Sequence, residues 1–156
     1  MAGVVPVREI MSVDVKTVHP DAAVIEAVQK MAKFDVGSIV VIDSSLRPVG
    51  IITARDVLRD VVIPRLPVDI VTALEIMSHP LVSVNPDVSV EQAARLMSDK
   101  HIEKLPVVEG NKLVGIVTSM DLVRTEPRLI EQLGDLICPY YPVKKAKKVR
   151  KSTGKK

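Results

Sequence analysis

Aromatic residues are almost absent from this chain of 156 residues: Phe34, Tyr140 and Tyr141 are the only ones, and there is no tryptophan. The length suits one compact domain or two very small ones. Because 47% of the residues are hydrophobic, a core can form, but it must be aliphatic. The scarcity of rings also argues against a protein that stacks nucleic acid bases on exposed aromatic side chains.

Cysteine and histidine are scarce as well. Cys138 is the single cysteine, which excludes a disulfide within the chain and a zinc site of several cysteines. His19, His79 and His101 do not stand at the spacing of metal ligands. We therefore expect neither a metal nor a cofactor, and a lone thiol fits the reducing cytoplasm.

Long apolar runs are missing too. The sequence has no stretch of about 18 uncharged apolar residues, so no membrane-spanning helix is expected. The start of the chain, MAGVVPVREIMS, lacks the basic flank and apolar run of a signal peptide. These features predict a cytoplasmic protein that makes no use of a membrane.

Positive charge is concentrated at the C-terminus. Residues 144–156, which begin with Lys144 and end with Lys156, hold eight Lys or Arg and no acid. Removing these eight charges from the net +3 leaves −5 for residues 1–143. We expect this basic tail to be disordered. Its charge either keeps the protein in solution or binds nucleic acid phosphates through counterion release, and the sequence leaves both readings open.

One pattern occurs twice: VGIITARDVL begins at residue 49 and VGIVTSMDLV at residue 114. The likeness extends upstream to EIMS, which stands at residues 9–12 and again at 75–78. Each copy predicts a short extended piece, a helix, two strands joined by a turn, and a second helix. The chain therefore contains two β-α-β-β-α repeats.

Apolar residues at helical spacing predict the first helix of each copy. They are Val24, Ala27, Val28 and Met31 in the first copy and Val90, Ala93, Ala94 and Met97 in the second. Ser89 and Gln92 suit a capping box, which the first copy lacks because Ala23 takes the place of the serine. One copy is too small to bury both faces of its sheet, so we expect both to pack as one pseudo-symmetric α+β module.

The repeated GIxTxxD pattern, with EIMS and a proline ahead of the first helix in each copy, resembles the cystathionine-β-synthase (CBS) domain. Here it stands as a tandem pair, the Bateman module. We expect the first CBS repeat in residues 1–65, the second in 66–126, a C-terminal helix in 127–143 and the basic tail in 144–156.

The resemblance implies a regulatory role without catalysis. Such pairs sense adenosine derivatives (AMP, ADP, ATP or S-adenosylmethionine) in clefts between the two repeats, and they often form dimers. In this chain Asp56 or Asp121 would accept hydrogen bonds from a ribose diol, while the adjacent helix N-terminus would favour phosphate. The residues by themselves leave a second reading open, in which both aspartates only interact favourably with the helix dipole and Thr53 and Thr118 are only strand or cap residues.

The family pattern distributes the ligand-binding residues over two clefts. One would combine Ile51, Thr53, Arg55 and Asp56 with His79, Pro80, Ile102, Glu103 and Lys104. The other would combine Ile116, Thr118 and Asp121 with Val13, Val36, Gly37 and Ser38. Because Arg55 and Lys104 make the first cleft cationic, we expect it to be the better phosphate binder.

Three functions are compared. The first is a stand-alone regulatory module that binds an adenine nucleotide, forms a homodimer and signals to an unknown effector protein. The second is a nucleic-acid-associated protein that acts through the basic tail, with the CBS core as a dimerisation scaffold. The third, an enzyme, is disfavoured because the sequence shows neither a convergent nucleophile and base nor a phosphate loop.

Overall fold

The computed structural model describes residues 3–138. The first half contains a 3₁₀ turn, three strands and two helices, the second of which continues into a wider helical turn. These elements are the turn Val7–Glu9, β1 Thr17–Val18, α1 Val24–Phe34, β2 Ser38–Ile42, β3 Pro48–Thr53, α2 Ala54–Val57 and the wider turn Leu58–Val62.

The second half repeats this order and adds a closing helix. Its elements are α3 Ala73–Ile76, α4 Val90–Lys100, β4 Lys104–Glu109, β5 Lys112–Thr118, α5 Ser119–Thr125, the 3₁₀ turn Pro127–Leu129 and α6 Ile130–Ile137. The predicted α+β class is confirmed. In place of the first strand expected in the second copy there is only a parallel bridge between Val84 and Val107.

In each repeat the second strand of the hairpin ends in a threonine that stands at the start of a helix. In the first sheet β1 runs parallel to β2, and β2 runs antiparallel to β3, with Ser38 opposite Thr53. In the second sheet β4 runs antiparallel to β5, with Lys104 opposite Thr118. The start of β2 therefore lies beside the start of α2, and the start of β4 lies beside the start of α5.

Helices α1 and α4 show the burial that their spacing predicts, with Met31 and Met97 among the buried residues of their inner faces. The Ser89 hydroxyl accepts a hydrogen bond from the Gln92 backbone N–H at 3.1 Å, and Gln92 Oε1 accepts one from the Ser89 N–H at 3.1 Å. Ala23 provides no side-chain cap to α1. The predicted difference between the two helix starts is therefore confirmed.

Each repeat forms its own aliphatic core, and the segments ahead of the repeats are exchanged between the cores. Val7 is fully buried in the core of the second repeat, and its N–H donates to the Val88 carbonyl at 2.8 Å. Ala73 lies in the core of the first repeat, and its N–H donates to the Ala22 carbonyl at 2.8 Å. Because each core needs a segment that precedes the other repeat, the two repeats fold as one module.

Helix α6 covers the core of the second repeat. Leu129 and Leu133 are buried there, and Leu136 and Ile137 pack against it. Within the stretch 127–143, for which a C-terminal helix is expected, the described residues form a 3₁₀ turn and then α6. The repeat boundaries at residues 65 and 126 stay predictions, and the basic tail at 144–156 lies outside the described residues.

Candidate functional site

Each EIMS segment joins the last strand of the opposite repeat. The Ser78 N–H donates to the Ile51 carbonyl at 2.9 Å, and the Ser12 N–H donates to the Ile116 carbonyl at 2.9 Å. This pairing extends each sheet by residues from the other repeat. Strand β3 therefore has Ser78 as a neighbour, and Ser78 and Pro80 face the space between the repeats.

Thr53 and Asp56 form a reciprocal capping box at the start of α2. The Thr53 hydroxyl accepts from the Asp56 N–H at 3.2 Å, and Asp56 Oδ2 accepts from the Thr53 N–H at 2.8 Å. Thr118 and Asp121 repeat this arrangement at α5, at 3.2 and 2.9 Å. Both pairs therefore cap their helices, and each cap occupies one oxygen of the aspartate carboxylate.

The second oxygen distinguishes the two aspartates. Asp56 Oδ1 accepts a hydrogen bond from Arg59 Nη2 at 3.1 Å, and Arg59 also bonds Asp60 at 2.8 Å. The hydrogen bond and charge of Asp60 raise the pKa of Arg59, while its own hydrogen bond to Arg59 lowers the pKa of Asp60. Oδ1 of Asp121 has no such partner among the described residues.

A cleft of about 680 Å³ opens between the repeats beside Asp56. That volume is in the range of small-molecule sites. Its wall combines the end of β3, the start of α2, residues ahead of the second repeat, the start of β4 and part of α6. The lining residues are Gly37, Ile51, Thr53, Ala54, Arg55, Asp56, Arg59, Ser78, Pro80, Val82, His101, Ile102, Glu103, Lys104, Asp135 and Leu136.

The structure brings together eight of the nine residues expected around Asp56. The exception is His79, which is exposed and does not line the cleft. Gly37, which we expected beside Asp121, lines the Asp56 cleft, and an added Cβ there would lie 3.4 Å from Lys104 Nζ. The reason is the hairpin register: Gly37 precedes β2, and its carbonyl accepts from the Ala54 N–H at the start of α2.

The remaining residues of the second group do not line the Asp56 cleft. Val13 directly follows Ser12 and is therefore close to Ile116, whose repeat also carries Thr118 and Asp121. Ser38 is buried in β2, whereas Val36 is exposed. A second cleft around Asp121 stays a prediction.

Several cleft residues were not expected from the sequence. Arg59 stands three residues after Asp56, so helical spacing alone could have indicated it. Asp135 and Leu136 carry no local pattern that points to a site, because their position depends on how α6 packs against α4 and α5. Their presence makes the cleft a junction of three parts of the chain.

Residues 3–138 contain no group of three or more His, Cys, Asp or Glu that could hold a metal ion. They also contain no helix that is both long enough and apolar enough to cross a membrane.

Comparison with known protein families identifies both repeats as CBS domains. The family model for the CBS domain matches residues 7–63 and again 73–127. An uncharacterized protein of Methanopyrus kandleri is 41% identical over 127 residues, which are 81% of this chain and 65% of the relative. The chain therefore spans slightly less than two thirds of that relative.

Two solved structures share the fold. A CBS domain pair crystallised with 5′-methylthioadenosine and S-adenosyl-L-methionine has a TM-score of 0.73 and 28% identity, covering 81% of this chain and 98% of that one. A hexameric CBS-CP12 protein from bloom-forming cyanobacteria has a TM-score of 0.73 and 31% identity, covering 82% of this chain and 74% of that one.

Proposed function

Because this chain belongs to the CBS domain family, we propose that it is a regulatory module that binds an adenosine derivative in the Asp56 cleft and signals to a partner protein. The observation that carries the proposal is the cleft itself, which both repeats and α6 build around one capped aspartate. A ligand that contacts both repeats would bias their relative arrangement, which is how binding energy becomes a signal.

The cleft offers a polar and an apolar partner for a nucleoside. Asp56 is buried, yet its carboxylate lines the cleft, and a ribose diol would compete with Arg59 for Oδ1. Ile51, Pro80 and Ile102 provide the apolar surface that an adenine ring requires. The CBS pair crystallised with two adenosine derivatives supports this ligand class.

We also propose a homodimer or larger homo-oligomer, formed through an apolar surface of residues 58–74. Its exposed side chains follow α2 closely in sequence and are Leu58, Val62, Ile63, Leu66, Ile70 and Leu74. A run of this kind is typical of a covered surface. The hexameric relative supports a second copy of this chain as the occupant.

We also propose that the module works in the cytoplasm, acts through an effector protein and catalyses no reaction itself. The alternative role in nucleic acid binding rests on charges outside the described residues, and the comparisons give it no support.

The test is thermal unfolding with AMP, ADP, ATP and S-adenosylmethionine on wild type, Asp56→Asn and Asp121→Asn. A ligand at about 100 times its Kd should stabilise the wild type by roughly 2.7 kcal/mol, a shift of a few degrees. Asp121→Asn is the matched control, because it alters the same capping box in the other repeat. Loss of the shift in Asp56→Asn alone supports the proposal, whereas no shift with any ligand refutes it.

A further inference from the structure

The charges of the Asp56 cleft fall into two groups. Asp56 belongs to an ion-paired group in which Arg59 contacts Asp56 at 3.1 Å and Asp60 at 2.8 Å. Four further charged side chains line the same cleft, and none of them is in an ion pair with another described residue. They are two cations, Arg55 and Lys104, and two anions, Glu103 and Asp135.

The presence of two cations and two anions in the cleft affects which ligand it accepts. Arg55 and Lys104 by themselves would favour a phosphate group in this cleft. A nucleotide phosphate would meet these two cations, but it would also bring its negative charge into a space that Glu103 and Asp135 share. Arg55, Glu103 and Asp135 are exposed and Lys104 is half-buried, so water screens such like-charge approaches, but they still weaken the binding of an anion. A ligand with both signs of charge would satisfy both pairs.

Asp135 is held in place by the helix that carries it. Its neighbour Gly134 and the nearby Leu133 are buried against the second repeat, and Leu136 lines the cleft beside it. The side chain therefore projects from a fixed helix and not from a loose terminus. Asp135 also has no counterpart beside Asp121, because the equivalent position of the first repeat, 65 residues earlier, is the exposed Ile70.

We propose that the Asp56 cleft selects an adenosine derivative whose 5′ substituent is zwitterionic, and that Asp135 on α6 is the specificity-determining residue for its ammonium group. Arg55 and Lys104 hold the carboxylate of the same substituent. This inference rests on the proposed function, because it assumes that the adenosine part binds beside Asp56. It assigns α6, which lies outside both CBS repeats, a direct part in ligand choice.

The experiment measures affinities by titration calorimetry at one ionic strength for three probes. S-adenosylhomocysteine carries the ammonium and the carboxylate, 5′-methylthioadenosine keeps the adenosine and the sulfur but has no charge there, and AMP carries only negative charge. We expect S-adenosylhomocysteine to bind most tightly and AMP most weakly. The Asp135→Asn change should weaken S-adenosylhomocysteine about tenfold and leave 5′-methylthioadenosine within about twofold.

Glu131→Gln is the control, because Glu131 is exposed on the same helix and does not line the cleft. Tighter binding of AMP than of S-adenosylhomocysteine would overturn the inference while leaving the proposed function standing. An equal loss for both thioethers in Asp135→Asn would likewise overturn it, since that residue would then act only through the fold. If none of the three probes binds, the inference is overturned. The proposed function fails as well if ADP, ATP and S-adenosylmethionine also give no thermal shift, or if Asp56→Asn has no effect on a ligand that binds.

Discussion

The sulfur of Met11 occupies the space in which a side chain on Gly115 would lie. An ideal Cβ on Gly115 would stand 2.5 Å from Met11 Sδ and 3.0 Å from the Ser12 carbonyl oxygen. Gly50 has the same relationship to Met77 in the other half of the molecule. The glycine of each GIxTxxD pattern is therefore required by the close approach of the opposite EIMS segment, which explains why both patterns occur together in each copy.

Substitution of this glycine should weaken the module. In Gly115→Ala the new methyl group meets a backbone oxygen as well as a flexible methionine, so the exchanged segment must move. We expect the free energy of unfolding to fall by about 1–3 kcal/mol, measured by chemical denaturation. Gly3→Ala serves as the control because nothing lies within 4 Å of its Cβ position. Equal stability of Gly115→Ala and wild type would contradict the close approach.

The unequal starts of α1 and α4 give a paired prediction. Ser89→Ala removes the cap of α4 and should lower the free energy of unfolding by about 1 kcal/mol. Ala23 has the same extended backbone (φ −66°, ψ 144°) as Ser89 (φ −70°, ψ 155°), and Glu26 stands three residues after it. Ala23→Ser should therefore complete a capping box and add roughly 0.5–1 kcal/mol. Thermal unfolding of both variants checks the opposite signs, and a destabilised Ala23→Ser would count against the shared geometry.

The proposed oligomer predicts the effect of a charge on its apolar face. Ile63 is 76% exposed in the monomer, so Ile63→Glu should cost little in folding but should disrupt an interface that buries it. We expect the molar mass from light scattering to fall from that of an oligomer to about 17 kDa. Leu46→Glu is the control, with a side chain 62% exposed in the turn between β2 and β3. A wild type that is already monomeric, or an Ile63→Glu that stays assembled, would refute the interface.

Local pattern accounts for much of the fold. The apolar spacing in α1 and α4 predicted their buried faces, and Ser89 with Gln92 predicted the one cap that α4 has and α1 lacks. The adjacency of Thr53 and Asp56 at a strand-to-helix junction follows in the same way. These features depend on residues within a few positions of one another, so the sequence expresses them directly.

Features that join distant residues required the structure. The exchange of the EIMS segments and the exposure of His79 depend on how two similar cores are oriented, and the placement of Gly37 beside Asp56 depends on the register of the first hairpin. Helical spacing could have predicted the pairing of Asp56 with Arg59. That Arg59 occupies the Oδ1 atom of Asp56 could be seen only from the side-chain positions.

The sequence by itself determined that two CBS repeats exist, which elements each contains, and which threonine and aspartate stand at each helix start. Periodicity and capping act over a few residues, and a repeat is a comparison of the chain with itself. Only the tertiary structure decided that α6 brings Asp135 into the Asp56 cleft and that the cleft holds unpaired charges of both signs. The position of Asp135 arises from the burial of Leu133 against the second repeat, a packing interaction that leaves no pattern in the residues that line the cleft.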